Sequence, residues 1–137
     1  MKSAVAQTGR SRMKVLTKVA GVAAGILLVA YVVMLPTLRE KAKENQDMNL
    51  VREVAIACHR FADANDGVMP AAVADLVPYL VTEADLARVE LVAIGKLSEI
   101  KEPARVPQVI STRISSRGLQ AVAFADAHCD LVAASGR

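Results

Sequence analysis

Val19 to Leu38 is a run of twenty residues without one charged side chain, VAGVAAGILLVAYVVMLPTL. At about 1.5 Å of rise per residue, a helix of that length extends roughly 30 Å, the thickness of a bilayer's hydrocarbon core. The run divides the chain into a basic tail (1–18), a transmembrane helix (19–38) and a remainder (39–137) large enough for one folded domain and not two. Aromatic residues make up only 3% and Trp is absent, so the core of that domain must rest on Val, Leu, Ile and Ala.

The net charge of +3 hides an asymmetry. Residues 1–18 carry Lys2, Arg10, Arg12, Lys14 and Lys18 and no acid, whereas residues 39–137 carry twelve bases and fourteen acids. A basic nucleic-acid surface on the domain is therefore not expected. The flank after the span (Arg39, Glu40, Lys41, Lys43, Glu44, Asp47) sums to zero. Short basic flanks stay cytoplasmic, so the N-terminus is expected inside and the domain outside, in the periplasm, anchored in the inner membrane. The tail itself, small and polar, is expected to be unstructured. A cleavable signal peptide is the rival reading, but Met34-Leu35-Pro36-Thr37-Leu38 makes a poor cleavage site after the apolar run. Within the span, Ala20, Gly21, Ala24 and Gly25 lie close along one side, a spacing that lets helices approach closely within a bilayer.

Past Pro36 the helix resumes as a charged stretch and then becomes amphipathic. At 100° per residue, Leu50, Val51, Val54, Ala55, Ala57, Cys58, Phe61 and Ala62 fall within an arc of roughly 160°, with Ile56 the large apolar exception outside it. Asn65-Asp66-Gly67 supplies the stop, Gly67 suiting a left-handed position. Pro70 opens a short helical segment ending at Pro78, and Thr82-Glu83-Ala84-Asp85 resembles a capping box. Val89 to Ile94 reads equally as the end of a helix or as a strand. Lys101 to Pro107 reads as a loop, and Val109–Ile114 and Leu119–Ala125 as strands. Asp126-Ala127 reads as a tight turn into a last strand, His128–Val132, and Ala133 to Arg137 should fray.

Residues with chemical potential have plainer explanations. Cys58 with His59, and His128 with Cys129 beside Asp126 and Asp130, carry metal-ligand chemistry, but neighbours on a helix or a strand diverge. Asp63, Asn65, Asp66 and Gly67 fall short of a calcium loop, lacking the twelfth-position Glu, and mark a helix terminus instead. Ser111, Ser115 and Ser116 sit in no nucleophile elbow. Arg105, Arg113 and Arg117 read as a solvated strand face. No catalytic residue, cofactor, metal or small-molecule substrate is expected, and the chain does not read as an enzyme.

The order of Leu35-Pro36-Thr37-Leu38, Arg39-Glu40-Lys41-Ala42, Asn49-Leu50, Phe61 to Gly67 and Pro70 resembles bacterial type IV pilin-like proteins, and most closely the pseudopilin-like proteins of type II secretion. Leu76-Val77-Pro78-Tyr79-Leu80 and the hairpin Phe124-Ala125-Asp126-Ala127-His128 resemble later motifs of that family. Of the hairpin, Phe124, Asp126 and His128 match, while Ala127 stands where the family has Gly. A left-handed φ there would be strained. Prepilins carry Gly followed by Phe-Thr-Leu-Ile-Glu at the cytoplasmic edge of the span. Neither Gly9 nor Gly21 is followed by that pattern here, and no acid precedes Glu40.

The resemblance implies an α+β fold, a long N-terminal helix packed on a small antiparallel sheet. It also implies a structural subunit that partners the lipid bilayer, other pilin-like or secretion-system subunits, and further copies of itself. A stand-alone bitopic binding module on the same fold is the alternative. One covalent expectation comes from the hairpin. A two-residue turn sets Phe124 opposite Cys129 and Val122 opposite Leu131, placing all four on the buried face with Cys58 across from them. A Cys58–Cys129 disulfide would close about 70 residues and stabilise the domain by roughly 4 kcal/mol, with two buried free thiols as the other outcome.

Overall fold

The computed structural model describes the backbone of residues 4–82, 84–92 and 95–134, with side chains from residue 17 onward. The chain forms two compact units, Met1–Arg39 and Glu40–Arg137. One helix, α1 (Ala4–Ala64), runs from the first into the second and passes through Pro36 without ending. It is helical already in the tail, where an unstructured segment was expected. Ala, Gln, Arg, Lys and Leu there are good helix formers, and no proline interrupts them. From Thr17 to Met34 every side chain is exposed, and the stretch is long and apolar enough to cross a membrane.

In the second unit the fold is α+β. Four antiparallel strands, β1 (Val89–Leu91), β2 (Pro107–Ile114), β3 (Leu119–Phe124) and β4 (Cys129–Ala133), lie in sequence order. The Glu40–Ala64 part of α1 packs on one face of this sheet. Its buried side chains are Val51, Val54, Ala55, Ala57, Cys58 and Ala62, six of the eight residues in the expected apolar arc. Leu50 and Phe61 are partly covered at its edges, and Ile56 is exposed as the periodicity requires. Across from them lie Val89, Val109, Ala121 and Ala123. The small alanines of β3 let the helix approach closely, and Leu76 closes the core from a 3₁₀ segment, Val73–Tyr79.

α1 stops where expected, by a slightly different device. The Ala62 carbonyl accepts from Asn65 N–H at 3.1 Å and Gly67 N–H at 2.8 Å, a Schellman-type closure. The first left-handed residue is Asp66 (φ 54°), and Gly67 (φ 80°) follows it. The ambiguous run resolves as strand over Val89–Leu91, and its last two residues lie outside the described ones, as does Glu83 of the expected capping box. Ala133, expected to fray, belongs to β4, while 135–137 lie outside the described residues.

The β3–β4 hairpin departs from the expected register by one residue. Ala123 pairs with Cys129 and Ala121 with Leu131, and the loop holds three residues, Ala125 to Ala127. Phe124 N–H donates to the His128 carbonyl (2.9 Å) and Ala127 N–H to the Phe124 carbonyl (2.8 Å), with Ala127 at φ 64°. This is a turn closed by a left-handed residue, the usual three-residue hairpin. Because strand side chains alternate, the shift exchanges faces on β3. Ala121, Ala123, Cys129 and Leu131 meet the helix, while Phe124 and Val122, expected on that face, lie on the opposite one with Ile110 and Val132, where Val122 is still buried.

Candidate functional site

The helix–sheet interface has a polar end that periodicity in apolar residues does not reveal. Glu40, Glu44 and Asp47 recur at i, i+4 and i+7, so they form one stripe on α1, and that stripe faces the sheet. Asp47 and Glu44 are both 3% exposed. Arg113 on β2 bridges the stripe, with one guanidinium nitrogen 2.6 Å from Glu40 and the other 2.6 Å from Asp47. Arg88, just before β1, pairs with the second Asp47 oxygen. Arg117 grips Glu44 through both Nε, at 3.1 Å, and a terminal nitrogen.

The β2–β3 connection presents these groups. Gly118, at φ 73°, closes a turn in which its N–H donates to the Ser115 carbonyl, and the buried Ser115 hydroxyl accepts from Arg117 and Leu119 N–H. The same turn aims Ser116 N–H at Glu40 (2.8 Å). That backbone donor first, and then the Arg113 charge, hold the Glu40 carboxyl below its ordinary range. The Arg117 guanidinium first, and then the Ser115 hydroxyl, do the same for Glu44. Reciprocally, Asp47 raises Arg113 and Glu44 raises Arg117. Arg113 and Arg117 are therefore clamps rather than the solvated strand face expected of them. Arg105 does stay exposed, paired only with Glu102 at 3.2 Å.

The hairpin residues Phe124, Asp126 and His128 come together on the other side of the sheet. The Asp126 carboxylate accepts from His128 N–H (3.1 Å) and lies 2.5 Å from His128 Nδ1, which lowers the Asp126 pKa. The imidazole stacks on the Phe124 ring, with centroids 4.3 Å apart and planes within 2°. Asp126 thus ties the loop and Phe124 backs the ring. Pro107, Ile110, Val122, Phe124 and Val132 continue from the hairpin as an apolar face with a shallow concavity of about 200 Å³.

Both cysteines are free thiols, the second of the two outcomes given for the pair. The shifted register still turns Cys129 toward the helix. Arg52 faces the Cys129 thiol, whereas Cys58 lies against Gln108 of β2. Burial pushes the Cys58 thiol up to about 12. Gln108 sits at a bulge between Pro107 and Val109, 1% exposed, and neither amide atom of its side chain has a hydrogen-bond partner among the described residues.

Ala20, Gly21, Ala24 and Gly25 lie on the exposed apolar part of α1, where a Cβ added at either glycine meets nothing within 4 Å. Among the described residues no three His, Cys, Asp or Glu side chains converge. Comparison of the chain with protein-family models, with curated proteins and with solved structures finds no match.

Proposed function

We propose that this chain is a membrane-anchored, pseudopilin-like structural subunit, its domain in the periplasm, that assembles with secretion or pilus-type components. One observation carries the reading. A single helix supplies an exposed apolar stretch of membrane-spanning length and, further on, the face on which a four-stranded antiparallel sheet packs. The resemblance of Leu35–Pro70 and of the Phe124–His128 hairpin to pilin-like motifs supports it, and the apolar outer face of the sheet offers a surface for neighbours.

Mild crosslinking in cells followed by mass spectrometry of the adducts tests the assembly. Pilin-like or secretion-system neighbours are the expected result, and Gly21→Leu with Gly25→Leu should weaken their capture while membrane insertion persists. The missing Gly-Phe-Thr-Leu-Ile-Glu pattern favours the second reading, a stand-alone bitopic module that kept the fold. Adducts free of any pilin-like partner would decide for it. A reporter active only outside the cytoplasm should work when fused after Arg137, and a reporter active only inside should fail there.

A further inference from the structure

The structure changes the charge balance of the segment that follows the span. By sequence its three acids cancel its three bases. In the fold Glu40, Glu44 and Asp47 are committed to Arg113, Arg117 and Arg88, three carboxylates to three guanidiniums. The network is neutral by itself, so the bases of the segment are left over. Arg39, Lys41 and Lys43 are all exposed and form no ion pair among the described residues, although Lys43 adds a weak pull on Glu40.

Lys41 and Lys43 follow the last apolar residue of the span, Leu38, by three and five positions. On a helix that is roughly 5 to 8 Å, within the depth of a bilayer's headgroup layer. Long lysine stems extend toward that layer readily.

We infer that Lys41 and Lys43, about 200° apart around α1, form a site of two separate contacts with anionic lipid headgroups on the domain side of the membrane. The site rests on the membrane-anchor part of the reading above and not on assembly. The carboxylates that would otherwise repel a phosphate are turned away into the sheet, which makes the ion-pair network the device that exposes the positive charge.

The test uses the full chain in mixed phosphatidylcholine–phosphatidylglycerol vesicles, with spin-labelled forms of each lipid reporting their relative association with the protein. Flotation with the vesicles first establishes insertion. The parent should prefer phosphatidylglycerol at low salt, and the preference should fade as salt screens it. Lys41→Gln/Lys43→Gln should lower the preference about fivefold or more, since one basic side chain near a membrane surface is worth about 1 kcal/mol. Lys41→Arg/Lys43→Arg should retain it. The basic N-terminal tail and Arg39 are common to all three proteins and cancel in the comparison. Both positions are exposed, so the variants should melt with the parent. A chain that floats but shows the same preference with and without the two lysines overturns this inference alone. A chain that does not float overturns the anchor reading and this inference with it.

Discussion

The helix–sheet interface has two halves built on opposite physics. From Val51 to Ala62 the helix buries Val, Ala and Cys against the sheet, and the contact tolerates small rotations because hydrophobic burial has no direction. From Glu40 to Asp47 the same helix buries carboxylates against arginines, and forked hydrogen bonds allow one geometry only. Burial of ion pairs recovers little net energy, since desolvation offsets attraction. The apolar half therefore supplies most of the stability, and the polar half sets how α1 is rotated on the sheet.

The sharpest way to break this division is to put a charge in the apolar half. Val54 is fully buried, so Val54→Asp should cost more than about 4 kcal/mol and leave the domain unfolded at room temperature. Native circular dichroism melting of the variant would overturn the apolar half as the source of stability. Removing one clamp comes next. Arg113→Ala leaves the buried Asp47 with Arg88 alone, and the melting temperature should fall by about 10 °C. Arg105→Ala, which loses only an exposed pair with Glu102, should move it by less than about 2 °C. Equal shifts for the two variants would mean that the polar half adds no more than a surface pair.

Acid should separate the halves within one molecule. Glu40 and Glu44 have lowered folded pKa values, so their contribution is complete above the ordinary carboxylate value of 4.5 and is lost as pH falls through the lower folded values. Arg113 and Arg117, whose pKa values their carboxylate partners raise further, stay charged throughout and add no slope of their own. Hydrogen exchange between pH 6 and pH 3, corrected for intrinsic rates, should show residues 113–119 losing protection while 51–62 keep it. Simultaneous loss would make the interface a single cooperative unit.

The apolar half was legible in the sequence because its residues repeat at helical spacing and no other arrangement buries them. The polar half was equally periodic, at 40, 44 and 47, but charged residues on a helix are usually solvated, and nothing local says that a strand will bring arginines to them. Where Arg113 points depends on the β2 register, which bulges at Gln108 and again between Ile110 and Ile114. A similar limit hid the face of Val122 and Phe124. An Asp-Ala pair invites a two-residue turn, and one extra loop residue exchanges every β3 side chain between faces. The family resemblance did flag the responsible residue, Ala127, whose left-handed φ the structure displays.

That residue gives a smaller effect, which bears on the apolar half through its hairpin. An alanine at φ 64° carries roughly 1 kcal/mol of strain that glycine escapes, part of it offset by the greater unfolded freedom of glycine. Ala127→Gly should raise the melting temperature by a few degrees and leave exchange at the polar half unchanged. A lower melting temperature would show that the loop is not the three-residue turn described.

The smallest effect is expected at Cys129, where the two outcomes differ most in kind. Cys129 is half-buried beside the core, with Arg52 facing its thiol and a weak contact to the Ala127 carbonyl at 3.7 Å. As a free thiol it acts as a small hydrophobe, and Cys129→Ala should cost less than about 1 kcal/mol. A bridge to Cys58 would instead make the same substitution cost about 4 kcal/mol, because some 70 residues of the unfolded chain would be released from a loop. Alkylation separates the cases without a variant. Under native oxidising conditions the half-buried Cys129 should react slowly, and Cys58, fully buried and pushed up to about 12, should react only as the domain opens. Denaturation without reductant should then label both. If neither labels until reductant is added, the sulfurs are joined.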